Sequence, residues 1–222
     1  MMNKILVVED EDILREVIID YLVEDGYQVL EAPDGEKALE LFQSNLVDLV
    51  ILDIVLPKLD GWSVCRRIRK SSGIPIIILT ARSDEDDSLL GYELGADDYL
   101  IKPYSPRVLM AKVKRFLEKT IDGMPIKSGS IVVNMGSRLV YADGITINLT
   151  HTEFEILAYL MQNKGIVITR EQLIAKVWGY DFYGDEKTVN SHIRNLRAKL
   201  GSKGNCIVTV IRSGYKFEEE QL

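Results

Sequence analysis

Leu49-Val50-Ile51-Leu52-Asp53-Ile54-Val55-Leu56-Pro57 is the stretch on which the fold turns. Its first four residues are apolar without alternation, too few for a helix, and they end on a carboxylate. A strand that is apolar on both sides must be covered on both faces, as in a parallel sheet packed between helices. The pattern repeats outward: Ile5-Leu6-Val7-Val8 ends at Glu9-Asp10, residues 75–79 end at Thr80, and Tyr99-Leu100-Ile101 ends at Lys102. Tyr27-Gln28-Val29-Leu30 is a fifth candidate strand with no reactive group at its end. Residues 13–24, 35–43, 62–69, 86–94 and 106–117 carry apolar side chains at three-to-four spacing, and Gly26 and Gly95 stop two of these helices. Alternating strands and helices with right-handed crossovers leave few arrangements. The expectation is an α/β fold, a doubly wound five-stranded parallel sheet in the flavodoxin-like order 2-1-3-4-5.

In such a sheet every strand's carboxyl end lies on one rim, and strands 1, 3, 4 and 5 are neighbours. Glu9, Asp10, Asp53, Thr80 and Lys102 therefore converge at the switch point where open α/β sheets bind ligands. Three carboxylates at close quarters repel, and either a proton or a cation relieves them. Mg²⁺ suits a site with few protein oxygens, because it keeps several waters and leaves room for a phosphate oxygen. Asp53, at the end of the central strand, is then placed as a nucleophile toward phosphorus. Lys102 counters the phosphoryl charge and Thr80 offers it a hydroxyl.

A length of 222 residues accommodates two small domains, and the net charge of −7 is divided unevenly between the halves. Residues 1–122 hold 15 Lys plus Arg against 24 Asp plus Glu, while residues 123–222 hold 12 against 10. Within the second part, residues 186–217 carry seven basic residues and one acid. An acidic protein with one confined basic stripe is unsuited to indiscriminate polyanion binding, yet the stripe can neutralise phosphates. The domains expected are 1–121 and 129–222, joined by a linker over 122–128 rich in punctuating residues. No apolar run approaches the roughly 20 residues of a membrane span. Acids follow Val8 at once, so the start does not read as a secretory signal, and a cytoplasmic protein without membrane contact is expected. Cys65 and Cys206 lie far apart in different modules and suggest neither a disulfide nor a zinc site.

The second module begins with short strands at 131–133, 138–141 and 145–148, with Ala142-Asp143-Gly144 as a hairpin turn. Thr150 with Glu153, and Thr169 with Gln172, are the signatures of capping boxes opening two helices. A third helix over 186–200 buries Val189, Ile193, Leu196 and Leu200, and turns Lys187, Asn190, Ser191, Arg194, Asn195 and Arg197 outward. Cations mixed with amides and a hydroxyl suit a helix lying in a DNA major groove. Residues 207–217 form a hairpin wing that carries Arg212 and Lys216.

Val7-Val8-Glu9-Asp10, Leu52-Asp53-Ile54-Val55-Leu56-Pro57 with Asp60-Gly61, Thr80-Ala81, Gly95-Ala96-Asp97-Asp98-Tyr99 and Lys102-Pro103 together resemble the receiver domain of two-component response regulators. Residues 129–218 resemble the winged-helix effector of the OmpR/PhoB family. That likeness rests on Leu149-Thr150, Thr152-Glu153-Phe154, Thr169-Arg170-Glu171-Gln172-Leu173, Val177-Trp178-Gly179, Thr188-Val189, His192-Ile193-Arg194 and Leu196-Arg197. The resemblance implies that Asp53 accepts phosphate from a sensor histidine kinase, with Glu9, Asp10, Asp53 and the backbone carbonyl of Val55 organising Mg²⁺. It implies a switch made of Thr80 and Tyr99, and a cis peptide bond between Lys102 and Pro103. It further implies a transcriptional regulator that binds tandem half-sites of double-stranded DNA as a homodimer, with Thr188 and His192 among the contact positions. His151, the only other histidine, lies in another helix, so His192 reads as a helix-surface or phosphate contact rather than a metal ligand. The loop Tyr180-Asp181-Phe182-Tyr183-Gly184-Asp185 would meet RNA polymerase.

The sequence departs from the family in places. Ser88 and Val108 replace a basic and an acidic residue that pair across the family's dimer, formed by segments 86–94, 99–101 and 106–117; Asp97 with Lys119 and Asp98 with Lys112 remain as candidate pairs. Ile211 and Arg212 stand where arginine and glycine are common in the wing, and Ser191 and Asn195 differ from common recognition residues. Two other readings use the same residues: a Mg²⁺-dependent phosphotransfer enzyme turning over an aspartyl phosphate at Asp53, and an orphan regulator that binds DNA without phosphate.

Overall fold

Strands β1 (Lys4–Val8), β2 (Gln28–Ala32), β3 (Leu49–Asp53), β4 (Ile76–Thr80) and β5 (Asp98–Ile101) form one all-parallel sheet in the order β2-β1-β3-β4-β5. This computed structural model describes residues 2–81, 94–118, 124–179, 182 and 186–219. The chain divides into two units, Met1–Glu118 and Lys119–Leu222. Every residue of β3 and β4 is buried, as their unbroken apolar sequence requires. The register sets Val8 beside Leu52, Asp53 beside Leu79 and Thr80 beside Ile101, so the strands stop together and their reactive ends share one rim.

The connecting helices are α1 (Asp12–Glu24), α2 (Gly35–Ser44), α3 (Gly61–Arg69) and α4 (Pro106–Leu117); the helix expected over 86–94 lies outside the described residues. Asp34 caps α2 by accepting the Lys37 amide at 2.8 Å, and Asp60 caps α3 by accepting the Ser63 amide at 2.9 Å. Pro106 stands at the start of α4, where its missing N–H costs nothing. Ile18 and Leu22 of α1, and Leu109, Val113 and Phe116 of α4, pack on Ile5, Val7, Leu49, Ile51, Ile77 and Leu79. The alternate strand residues turn to the opposite face.

In the second unit β6 (Ile126–Ser128), β7 (Ile131–Asn134), β8 (Leu139–Ala142) and β9 (Ile145–Ile147) form an antiparallel sheet in chain order. This corrects the sequence reading of 122–128 as linker throughout. Ile126 and Ser128 pair with Val133 and Ile131, and Ile126 packs on the core of this unit. Three residues beside Pro125 were too few to show strand periodicity. The Asp143-Gly144 turn forms with both residues at positive φ, +51° and +78°. Helices α5 (His151–Gln162), α6 (Arg170–Val177) and α7 (Glu186–Leu200) follow, and both capping boxes are made. The hairpin of β10 (Ile207–Val210) and β11 (Gly214–Phe217) closes the unit. Its position is fixed at Gly214, where an added Cβ would lie 2.1 Å from the Ile168 carbonyl oxygen, while Ile168 and Tyr215 exchange backbone hydrogen bonds. Among the described residues no helix is long and apolar enough to cross a membrane.

Cys65 has no exposed surface and Cys206 only 7%. Burial pushes the Cys65 thiol up to about 11, so neither access nor thiolate favours its reaction. In a thiol assay at pH 8 the native protein should react orders of magnitude more slowly than the guanidinium-unfolded chain, which should release two equivalents. Prompt reaction of the native thiols would show that these cores are open.

Candidate functional site

Glu9 and Asp10 follow β1, and Asp53 ends β3, so the sheet register alone brings the three carboxylates together. One oxygen from each lies within 4.8 Å of the others. Glu9 and Asp53 are buried, while Asp10 is exposed at the mouth. Lys102, just beyond β5, donates from Nζ to Glu9 Oε2 at 2.7 Å and to Asp53 Oδ2. Its peptide bond to Pro103 is cis. Burial works to discharge the ammonium, but the hydrogen bonds to Asp53 and Glu9 prevail and its pKa is raised. The Glu9 carboxyl is pushed up to about 7, by burial first and by the charge of Asp53, against the pull of Lys102. One ammonium is too little charge for three carboxylates. At an effective dielectric constant near 20 each additional carboxylate pair at this spacing repels by about 3 kcal/mol.

The loop after β3 is held at several points. Asp53 Oδ1 accepts the Val55 amide at 3.0 Å. A Cβ on Gly61 would lie 2.1 Å from the Asp53 carbonyl oxygen, so α3 starts directly against the strand end. Lys58, at φ +64°, reaches across to Asp34 at 2.5 Å. Thr80, at the end of β4, is 2% exposed, and its carbonyl accepts the Lys102 amide at 2.7 Å. Tyr99 is 9% exposed, with its ring 6.3 Å from that of Trp62.

The residues assigned to contact between copies are placed differently from expectation. Asp97 is fully buried, accepting from Arg69 Nη2 and from the Ile76 amide. Asp98 is fully buried too, accepting from Lys112 Nζ and Arg115 Nη2, each at 2.7 Å. These carboxylates are closed within one chain rather than offered to a partner, because their strand enters the sheet at Asp98 and draws both into the interior. Lys119 and Ser88 lie outside the described residues, and Val108 is 39% exposed.

On α7 the buried arc is wider than the expected stripe. Thr188, Ser191 and His192 are 2%, 7% and 0% exposed, which removes them from the outward face. The His192 ring lies 5.4 Å from that of Trp178. Thr188, His192 and Leu196 recur at every fourth position and form a second inward row beside Val189 and Ile193, because both α5 and α6 pack on this helix. Lys187, Asn190 and Arg194 are exposed and Asn195 is partly so. Arg197 is largely committed: its guanidinium donates to the Ile207 carbonyl and to Thr209 Oγ1, latching α7 to the hairpin. In the wing Arg212 is exposed at φ +62°, a conformation that favours glycine, while Lys216 is paired with Glu218. Of the loop 180–185 only Phe182 is described, its ring 5.0 Å from that of Trp178.

Residues 5–114 match the family described as response regulator receiver domain, and residues 144–217 match that described as transcriptional regulatory protein, C terminal. YclJ of Bacillus subtilis, named as an uncharacterized transcriptional regulatory protein, is 41% identical over 98% of this chain and all of its own. The transcriptional regulatory protein SrrA of Staphylococcus aureus is 38% identical over 98% of this chain and 96% of its own. Among solved structures, DrrB of Thermotoga maritima, described as an OmpR/PhoB homolog, is 33% identical with a TM-score of 0.54, covering 98% of this chain and all of DrrB. The chain belongs to the OmpR/PhoB response regulators. A RitR variant has a TM-score of 0.75 at 27% identity, over 98% of this chain and all of its own.

As a response regulator the chain is a transcriptional regulator under phosphorylation control and not a metabolic enzyme; a receiver domain takes its signal from a sensor kinase, and the C-terminal domain binds DNA. Sequence reasoning missed some residues that shape its sites. Arg15 donates to the Glu9 carbonyl at 2.9 Å while pairing with Asp12 and Glu31, and its spacing from Asp12 on α1 was a usable signal. Tyr104 flanks the pocket: burial, with the charges of Glu9 and Asp53, raises its pKa, and its buried hydroxyl finds no hydrogen-bond partner among the described residues. Only its place beside Lys102-Pro103 hinted at this.

A carboxyl whose pKa is higher folded than unfolded stabilises the protein fully below its unfolded value and loses that contribution as pH rises through the folded value. For Glu9 that window runs from about 4.5 to about 7. With divalent ions chelated, Glu9→Gln should therefore gain stability relative to the parent between pH 4.5 and pH 8 in urea unfolding. A difference independent of pH would contradict this electrostatic reading.

Proposed function

We propose that Asp53 is the residue phosphorylated, and that the rim around it is a magnesium-dependent phosphoacceptor site. The observation that carries the reading is the cluster of three carboxylate oxygens within 4.8 Å, countered by a single ammonium among the described residues. Hard oxygen donors with unrelieved negative charge fit Mg²⁺, and Glu9, Asp10, Asp53 and the Val55 carbonyl would hold it. When bound, the ion supplies charge neutralisation for an incoming phosphoryl group. Asp53 supplies the oxygen that attacks phosphorus as the bond to the kinase histidine nitrogen breaks. Lys102, already on Asp53, balances the charge that builds on the phosphoryl oxygens. Thr80 offers its hydroxyl to the product, and Tyr99 on β5 completes the switch.

In the second unit Lys187, Asn190, Arg194, Asn195 and Arg212 form the DNA-facing set, with Arg197 holding helix to hairpin and Lys216 at the wing's base. Binding of tandem half-sites by a homodimer joined through the receiver, and contact of loop 180–185 with RNA polymerase, belong to the same proposal. The receiver contact would use exposed surface such as Ile101 and Val108, since Asp97, Asp98 and Lys112 are buried in their own chain. A cytoplasmic location follows from this role.

Acetyl phosphate with Mg²⁺ should add one phosphoryl group to the intact protein and raise its DNA affinity, and Asp53→Asn should abolish both effects. Equal labelling of Asp53→Asn would sink the assignment. Sustained consumption of the donor as substrate would favour an enzyme, and Asp53→Asn binding DNA as tightly as the phosphorylated protein would favour an orphan regulator.

A further inference from the structure

On the exposed face of α7, Asn190 is not a freely turning amide. Its Oδ1 accepts from Arg170 Nε at 3.0 Å and from Tyr215 Oη at 2.7 Å. Arg170 comes from the first turn of α6 and Tyr215 from β11, so two other elements hold this one side chain. Arg170 also stacks on the Tyr215 ring at 5.0 Å and faces Glu186 at 3.6 Å, while Arg197 approaches the same ring at 5.7 Å. A guanidinium nitrogen has only hydrogens to offer, so the atom facing it must be the amide oxygen. Turning the amide over would set N–H against the Arg170 N–H and lose that charge-assisted bond, although the Tyr215 hydroxyl could then accept instead of donate. An amide oxygen has two lone pairs, and both are used. What remains toward solvent is Nδ2, with two hydrogens and no acceptor, and no bond of this nitrogen is made among the described residues.

We propose that Asn190 reads DNA as a donor only, and so selects a base that presents an acceptor in the major groove, guanine above all, against cytosine. This rests on the DNA-binding reading of α7. Guanine presents two acceptors, N7 and O6; thymine presents O4, adenine presents N7 beside its N6 amino donor, and cytosine presents only the N4 amino donor. The usual two-bond pairing of asparagine with adenine needs the amide oxygen as well as the nitrogen, and here the oxygen is spent. Cytosine would meet Nδ2 donor to donor. Asn190→Asp reverses the outward chemistry without disturbing the anchor: one carboxylate oxygen still faces Arg170 and Tyr215, and the other becomes an acceptor suited to cytosine N4 or adenine N6.

The test is selection from a random double-stranded DNA library by the full-length protein treated with acetyl phosphate and Mg²⁺, compared with Asn190→Asp and Arg170→Met. For the parent, guanine should exceed cytosine by about tenfold at one position of each half-site. Asn190→Asp should invert that order at the same position and leave the others unchanged. Arg170→Met, which frees the amide to turn and adds the bond to adenine N6, should raise adenine there relative to guanine. Identical preferences in parent and Asn190→Asp, or a parent that selects cytosine or adenine at the position Asn190→Asp alters, would overturn the inference while leaving DNA binding intact. Enrichment of no sequence by the parent would instead remove the DNA-binding reading beneath it.

Discussion

Electrostatic repulsion among Glu9, Asp10 and Asp53 is the constraint on which the receiver depends. No single residue creates it: it follows from a parallel sheet whose strands stop in register, with reactive side chains at the stops. The apolar strands place the carboxylates close together, and the cores beneath them keep the strands from giving way. Lys102 relieves part of the charge, while burial first and then the charge of Asp53 push the Glu9 pKa up against its pull. On the proposed reading this is a charge defect that a cation would correct and a phosphoryl group would then exploit. The loop that follows β3 is held near the strand end by the backbone contact at Gly61 and by the Lys58–Asp34 pair.

The DNA-facing unit solves a different problem, the orientation of a few polar groups on an exposed helix. It does so by tying the helix to its neighbours. Arg197 joins α7 to the Ile207 carbonyl, Tyr215 and Arg170 meet on Asn190, and Gly214 lets the hairpin lie against Ile168. Side chains that look like nucleic-acid contacts by charge alone are here part of the frame. A mixed polar face is thereby given a fixed pattern of donors and acceptors.

Much of this was legible in the sequence, for physical reasons. Unbroken apolar runs such as 49–52 and 76–79 announce a sheet buried on both sides, and the residues closing them announce the rim. Thr150 with Glu153 and Thr169 with Gln172 signal helix starts by hydrogen-bond chemistry local to four residues, and both form as expected. What depends on packing across the chain was not legible. Thr188, Ser191 and His192 look polar enough for an outer face, yet two helices on α7 widen its buried arc. Asp97 and Asp98 look like surface acids until Arg69, Lys112 and Arg115 are seen closing on them. Ile126–Ser128 reads as linker because a three-residue edge strand shows no period.

The most direct measurement is calorimetric titration of the unphosphorylated full-length protein with Mg²⁺, alongside Asp10→Asn, whose altered side chain is exposed and leaves the buried carboxylates in place. One ion per chain should bind the parent, and the substitution should weaken it by more than about tenfold. Equal affinity in the two proteins, or no binding by the parent, would contradict the claim that these carboxylates form one cation site.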